Sequence, residues 1–115
     1  MTQTQAYLLT LAIEVPIAVG LAAWRRLAPG RLRRVALAGV AASSLTHPLL
    51  WLVDPLLWDT FDTPARWGLL EAAITLVEGA VYSLALGWRA RTGLLVSLIA
   101  NAVSFGVGVV IYATA

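Results

Sequence analysis

The chain has no cysteine and no lysine, a single histidine, a single methionine, and only 12% charged residues among 115. Without cysteine there is no disulfide, thiolate metal site, iron–sulfur cluster or covalent haem attachment. One histidine excludes a multi-histidine zinc site and a bis-histidine haem within one chain. No phosphate-binding loop, nucleophile elbow, metalloprotease motif or calcium loop is present. The shortage of charge excludes most, because soluble domains carry about 25% charged and about 45–50% apolar residues. Here 60% of residues are hydrophobic and the mean hydropathy is +0.83. The fold class expected is all-α: a polytopic integral membrane protein of four transmembrane helices in an antiparallel bundle. Residues 1–115 are read as one membrane domain, with short loops and no soluble domain.

Four apolar stretches carry this reading, at residues 4–24, 35–53, 68–87 and 92–114. Each is long enough to cross roughly 30 Å of hydrocarbon at about 1.5 Å per residue. Strands are not expected, because the runs do not alternate in polarity as outer-membrane strands do. The first stretch has no preceding positive charge and its arginines follow it, so it reads as a retained span and not a cleaved signal. The segment 54–67 between the second and third spans mixes Asp54, Asp59 and Asp62 with Leu56, Leu57, Trp58 and Phe61. It is expected to lie along the membrane surface.

Arginine placement sets a direction. Arg25, Arg26, Arg31, Arg33 and Arg34 fall in the first loop and Arg89 and Arg91 in the third, leaving only Arg66 in the middle loop. The positive-inside rule assigns the arginine-rich face to the cytoplasm, with both termini and the 54–67 loop outside a cell membrane. The sequence pI of about 9.7 is then a label of topology and of contact with anionic lipid headgroups. It does not mark a nucleic-acid site, and no nucleic-acid partner is expected. Trp24 and Trp88 mark the inner interface, and Tyr7, Trp51, Trp58, Trp67 and Tyr112 the outer one.

Ionisable groups within a span are functional candidates, because hydrocarbon offers them no partner. Counted inward from the outer ends, His47 and Glu71 form an outer layer roughly 6–9 Å deep, and Glu14, Glu78 and Ser44 a central one at about 14–16 Å, with Asn101 at the same midplane. Spacings of three and four align Thr10 with Glu14, Ser43 and Ser44 with His47, Glu71 with Thr75, Glu78 and Tyr82, and Ser97 with Asn101 and Ser104. The predicted buried polar, ion or proton site is Glu14, His47, Glu71, Glu78 and Asn101, supported by Ser44, Tyr82 and Ser104. A proton-sharing Glu14–Glu78 pair, titrating as a unit, is its expected centre.

Magnitudes support a purpose for these groups. At about 2.5–3.5 kcal/mol for each central acid, the two glutamates of the third span cost up to about 5–7 kcal/mol. Its leucine, isoleucine and valine residues return only about 2.4–4.8 kcal/mol. That span therefore needs neighbouring helices. Pro16 and Pro48 each leave one backbone carbonyl without its helical donor, at Ala12 and Ser44, close to the polar layers. Glu14 precedes Trp24 and Arg25 as Glu78 precedes Trp88 and Arg89, the pattern of a duplicated two-helix hairpin, a parallel 2+2 repeat.

Three functions compete. The first is a proton- or cation-coupled transport or channel component, acting as a homo-oligomer because one four-helix bundle is narrow. The second is a structural or accessory subunit docked on a partner membrane protein. The third is an intramembrane metal-dependent enzyme, disfavoured because the paired Glu-x-x-His motifs of di-iron bundles are missing. No catalytic residue, cofactor or metal is assigned, and the expected surroundings are the lipid bilayer.

Overall fold

A computed structural model describes residues 2–114 of the chain. Four helices follow one another: α1 (Gln3–Trp24), α2 (Leu32–Val53), α3 (Thr63–Leu86) and α4 (Ala90–Thr114), with a 3-10 turn at Asp54–Leu57 after α2. No strand occurs among the described residues. All four helices are long and apolar enough to cross a membrane, the pattern of a multi-pass membrane protein.

The helix ends are set by local chemistry. Thr2 and Gln5 form a reciprocal capping box at the start of α1, with bonds of 3.0 and 3.1 Å. Asp62 caps α3 by accepting from the Ala65 N–H at 2.9 Å, and Pro64 in the first turn lacks only a donor that the helix would not use. Thus α3 begins at Thr63 and not at the apolar boundary Gly68, because Asp62 and Pro64 recruit Arg66 and Trp67 into the helix. Likewise α2 begins at Leu32, with Arg33 and Arg34 in its first turn. Gly87, at φ 69°, ends α3 in the left-handed conformation that costs glycine least.

Each helix packs against two neighbours, closing a ring in the order α1, α2, α3, α4. Among the described residues, the diagonal pairs α1/α3 and α2/α4 do not touch at the backbone. The apolar core gathers toward the arginine-rich loops, and small residues dominate it: Ala18, Ala22, Ala28, Val35 and Ala38 pack with Tyr82, Leu86 and Val96. Small side chains let helix backbones approach closely. The tightest approach joins α3 and α4, where a Cβ placed on Gly93 would sit 2.5 Å from the Gly79 carbonyl oxygen.

The distribution of polarity is inverted relative to a soluble domain. Large apolar side chains face outward, Leu52 at 67% and Leu84 at 86% exposed, whereas Glu14, Ser43, Thr46, His47, Thr75, Glu78, Ser97 and Asn101 are all buried. The molecule is 45 Å long and 26 by 19 Å across. That length matches a bilayer with its headgroups, about 40–45 Å.

Candidate functional site

Glu78, on the inner face of α3, is 2% exposed and receives hydrogen bonds from two other helices. Its Oε1 accepts from Asn101 Nδ2 of α4 at 2.8 Å, and its Oε2 lies 2.7 Å from Thr46 Oγ1 of α2. Behind Asn101 the hydrogen bonds run in one direction. Ser97 Oγ donates to the Thr75 carbonyl at 2.8 Å, which leaves it an acceptor toward Asn101. The Asn101 amide then shares one hydrogen between Ser97 Oγ at 3.1 Å and the Ser97 carbonyl at 2.9 Å, and aims the other at Glu78. A flipped amide would point its oxygen at that carbonyl, so the orientation is fixed. Glu78 Oε1 is therefore always an acceptor, and any proton on this carboxyl sits on Oε2.

Thr46 accommodates both states of Oε2. Its hydroxyl has one hydrogen but two acceptors in reach, Glu78 Oε2 and the Ala42 carbonyl at 3.1 Å. When Glu78 is ionised, the hydroxyl donates to the carboxylate. When Oε2 carries a proton, that proton is donated to Thr46 Oγ1 and the hydroxyl turns to Ala42. Rotation of one hydroxyl thus keeps the buried carboxyl satisfied whether charged or neutral, the condition for a polar group at this depth.

Glu14 of α1, 5% exposed, completes the cluster from the remaining helix, with its carboxyl beside that of Glu78 and the Ser104 hydroxyl. Above it opens a cavity of about 620 Å³ at the end of the bundle holding the chain termini and the 54–62 segment. Thr10, His47, Glu71 and Ser104 supply polar groups to its wall, and Trp51, Trp58, Trp67, Phe105 and Tyr112 supply aromatic ones. Ser104 both lines the cavity and meets Glu14, so polar groups continue from the cavity down to Glu78.

The cavity rim is tied by side chains. Arg66 Nε donates to Asp54 Oδ1 at 2.6 Å, and Trp58 Nε1 donates to Asp54 Oδ2 at 3.3 Å. The Arg66 guanidinium also stands 6.0 Å over the Trp58 ring. Trp67 meets Phe105 and Tyr112 edge-on, with centroids 6.5 and 5.6 Å apart. Of the 54–67 segment, Asp54–Leu57 form a 3-10 turn joined to α3 by the Asp54–Arg66 pair, and Thr63 onward belongs to α3 itself.

The sequence-predicted residues separate into four groups. Glu14, Glu78, Asn101 and Ser104 come together. His47 and Glu71 share the cavity wall without bonding each other; His47 Nε2 accepts from Trp51 Nε1 at 3.0 Å, which places the ring proton of neutral His47 on Nδ1. Ser44 lies outside the cluster, exposed and bonded to the Tyr7 hydroxyl. Tyr82 sits deeper, stacked on Trp88 at 5.9 Å and facing Gly39, where an added Cβ would fall 2.9 Å from its hydroxyl. The repeat pattern is asymmetric in its contacts: Trp88 is anchored to the Leu27 carbonyl at 3.0 Å, whereas Trp24 is 74% exposed.

Sequence reasoning missed Thr46. The available signal was its helical spacing, three residues after Ser43 and four after Ala42, both buried with it in α2. Among the described residues no group of three histidine, aspartate or glutamate side chains is placed to hold a metal ion. Comparison with protein-family models, with curated proteins and with solved structures finds no match.

Proposed function

We propose that the chain is a proton-coupled transport component of a cell membrane, and that the Glu14–Glu78 pair is its protonation site. The observation that carries this reading is the hydrogen-bond set around Glu78, which satisfies the carboxyl in either protonation state at the foot of an open cavity. The helices run alternately up and down, with seven arginines at the cytoplasmic end and both termini outside. The cavity then opens outward. Toward the cytoplasm the path is closed by Ala18, Ala22 and Val35, each at 0% exposure. With the cytoplasmic side packed closed, transport requires a rearrangement supported by another copy of the chain, and the working unit is a homo-oligomer.

Reconstitution into proteoliposomes with a trapped pH dye tests this. The wild-type protein is expected to dissipate an imposed proton gradient, and Glu78→Gln and Glu14→Gln to lose most of that flux. Equal flux in all three proteins would overturn the reading. Native mass spectrometry from mild detergent tests the assembly: a dimer or larger homo-oligomer is expected. A strictly monomeric species contradicts the oligomer, and a stoichiometric second polypeptide favours the accessory-subunit reading.

A further inference from the structure

We infer that the cavity above Glu14 binds a hydrophobic organic cation, such as a lipophilic amine or quaternary onium ion. This inference rests on the transport reading and names its substrate class. Four observations carry it. The first is size: about 620 Å³ lies within the roughly 300–1,000 Å³ of small-molecule sites. The second is the wall, where Trp51, Trp58, Trp67, Phe105 and Tyr112 present aromatic surface from the rim and three helices. Such rings hold apolar groups by contact and cations by their negative faces.

The third observation is charge. Asp54 and Glu71 are the acidic residues of the lining, and no arginine belongs to it. Asp54 is already bound by Arg66 at 2.6 Å, so its charge is spent at the rim. Glu71 makes no ion pair among the described residues and faces the cavity with Glu14 and Glu78 beneath it. His47, whose Nε2 already accepts from Trp51, adds no positive charge. Arg66 at the rim is matched by Asp54, so the charge left to the cavity wall is the Glu71 carboxylate, while the other seven arginines lie at the opposite end of the chain's spans.

The fourth observation is at the rim, where the Arg66 guanidinium stands 6.0 Å over the Trp58 ring, the kind of cation–ring contact that the remaining aromatic side chains offer a ligand. A small inorganic cation is a poorer fit, because the lining offers few oxygen ligands for a cavity of this volume. The chemistry called for is one positive charge directed at Glu71, carried on a hydrophobic body that fills the aromatic chamber.

The test is quenching of intrinsic tryptophan fluorescence in purified protein, titrated with tetraphenylphosphonium and with its anionic isostere tetraphenylborate. The two ions share shape and hydrophobicity and differ in sign, so wild-type protein alone provides the discrimination. Saturable binding is expected for the cation, with the anion weaker by about tenfold or more, the effect of roughly 1.4 kcal/mol. Glu71→Gln is expected to remove most of that preference, and Trp67→Ala to weaken binding of the cation. Equal affinities for the two ions, no saturable binding, or an unchanged preference in Glu71→Gln would each overturn the inference. Proton flux is read separately: Glu78-dependent flux without cation binding overturns this inference alone, and cation binding without such flux overturns the transport reading alone.

Discussion

At the scale of single residues, the fate of Oε2 on Glu78 organises the site. Thr46 offers that oxygen either a donor or an acceptor, and valine of nearly the same shape offers neither. Thr46→Val is therefore expected to slow proton exchange and to destabilise the bundle by about 1 kcal/mol, between the values of roughly 0.6 for an interhelical bond in a membrane and 1–3 for a stranded buried acceptor. A denaturation midpoint and a flux rate both equal to wild type would contradict this. Thr46→Ser keeps the hydroxyl and is expected to restore the exchange. Glu78 and Asn101 were legible in the sequence because each interrupts an apolar run that gives it no partner. Thr46 was not, since a threonine in a helix can bond its own preceding turn, and only the approach of α3 reveals the second acceptor. Ser44 is two residues away and so roughly 200° around the helix, on the face of α2 that meets Tyr7 of α1.

At the scale of elements, the α3–α4 seam controls the geometry of the site. Gly79, next to Glu78, and Gly93, one turn before Ser97, let the two backbones meet beside the site. A Cβ on Gly93 would lie 2.5 Å from the Gly79 carbonyl oxygen, and one on Gly79 would lie 3.0 Å from Leu94 Cα. Gly93→Ala should force the helices apart at a cost of about 1–3 kcal/mol, as overpacking of a tight interior does. Gly106→Ala meets nothing within 4 Å and should leave the thermal midpoint in detergent unchanged. Equal midpoints for the two variants would contradict the packing described. Glycine identity alone does not distinguish these positions. Gly87 instead ends α3, and Gly106 and Gly108 face open space. The existence and order of the helices were legible, since four long apolar runs leave little else to form. Their starts were less so, because capping by Asp62 and the long aliphatic stems of arginine carry a helix past its apolar boundary.

At the scale of the whole molecule, the bundle has two unlike ends: an alanine-rich packed core beside the arginine loops, and a cavity beside the termini. The absence of cysteine makes the orientation easy to read. Single replacements Thr60→Cys and Pro29→Cys, both at exposed positions, should behave oppositely toward an impermeant maleimide. Thr60→Cys is expected to label in intact cells and Pro29→Cys only after permeabilisation; the reverse would invert the proposed topology and turn the cavity toward the cytoplasm. The cavity itself was not legible in the sequence, because it arises where four polar faces and the pinned 54–62 segment fail to fill the ring. In the proposed function, Glu78 is a buried carboxyl that gains and loses a proton through this cavity. Infrared difference spectroscopy of the protein in lipid, cycled between acid and alkaline buffer, tests it most directly. A reversible carboxylic-acid carbonyl band is expected that shifts in deuterated buffer, moves in Thr46→Val and disappears in Glu78→Gln. A band that persists unchanged in Glu78→Gln, or no titrating carboxyl band in the wild type, would contradict it.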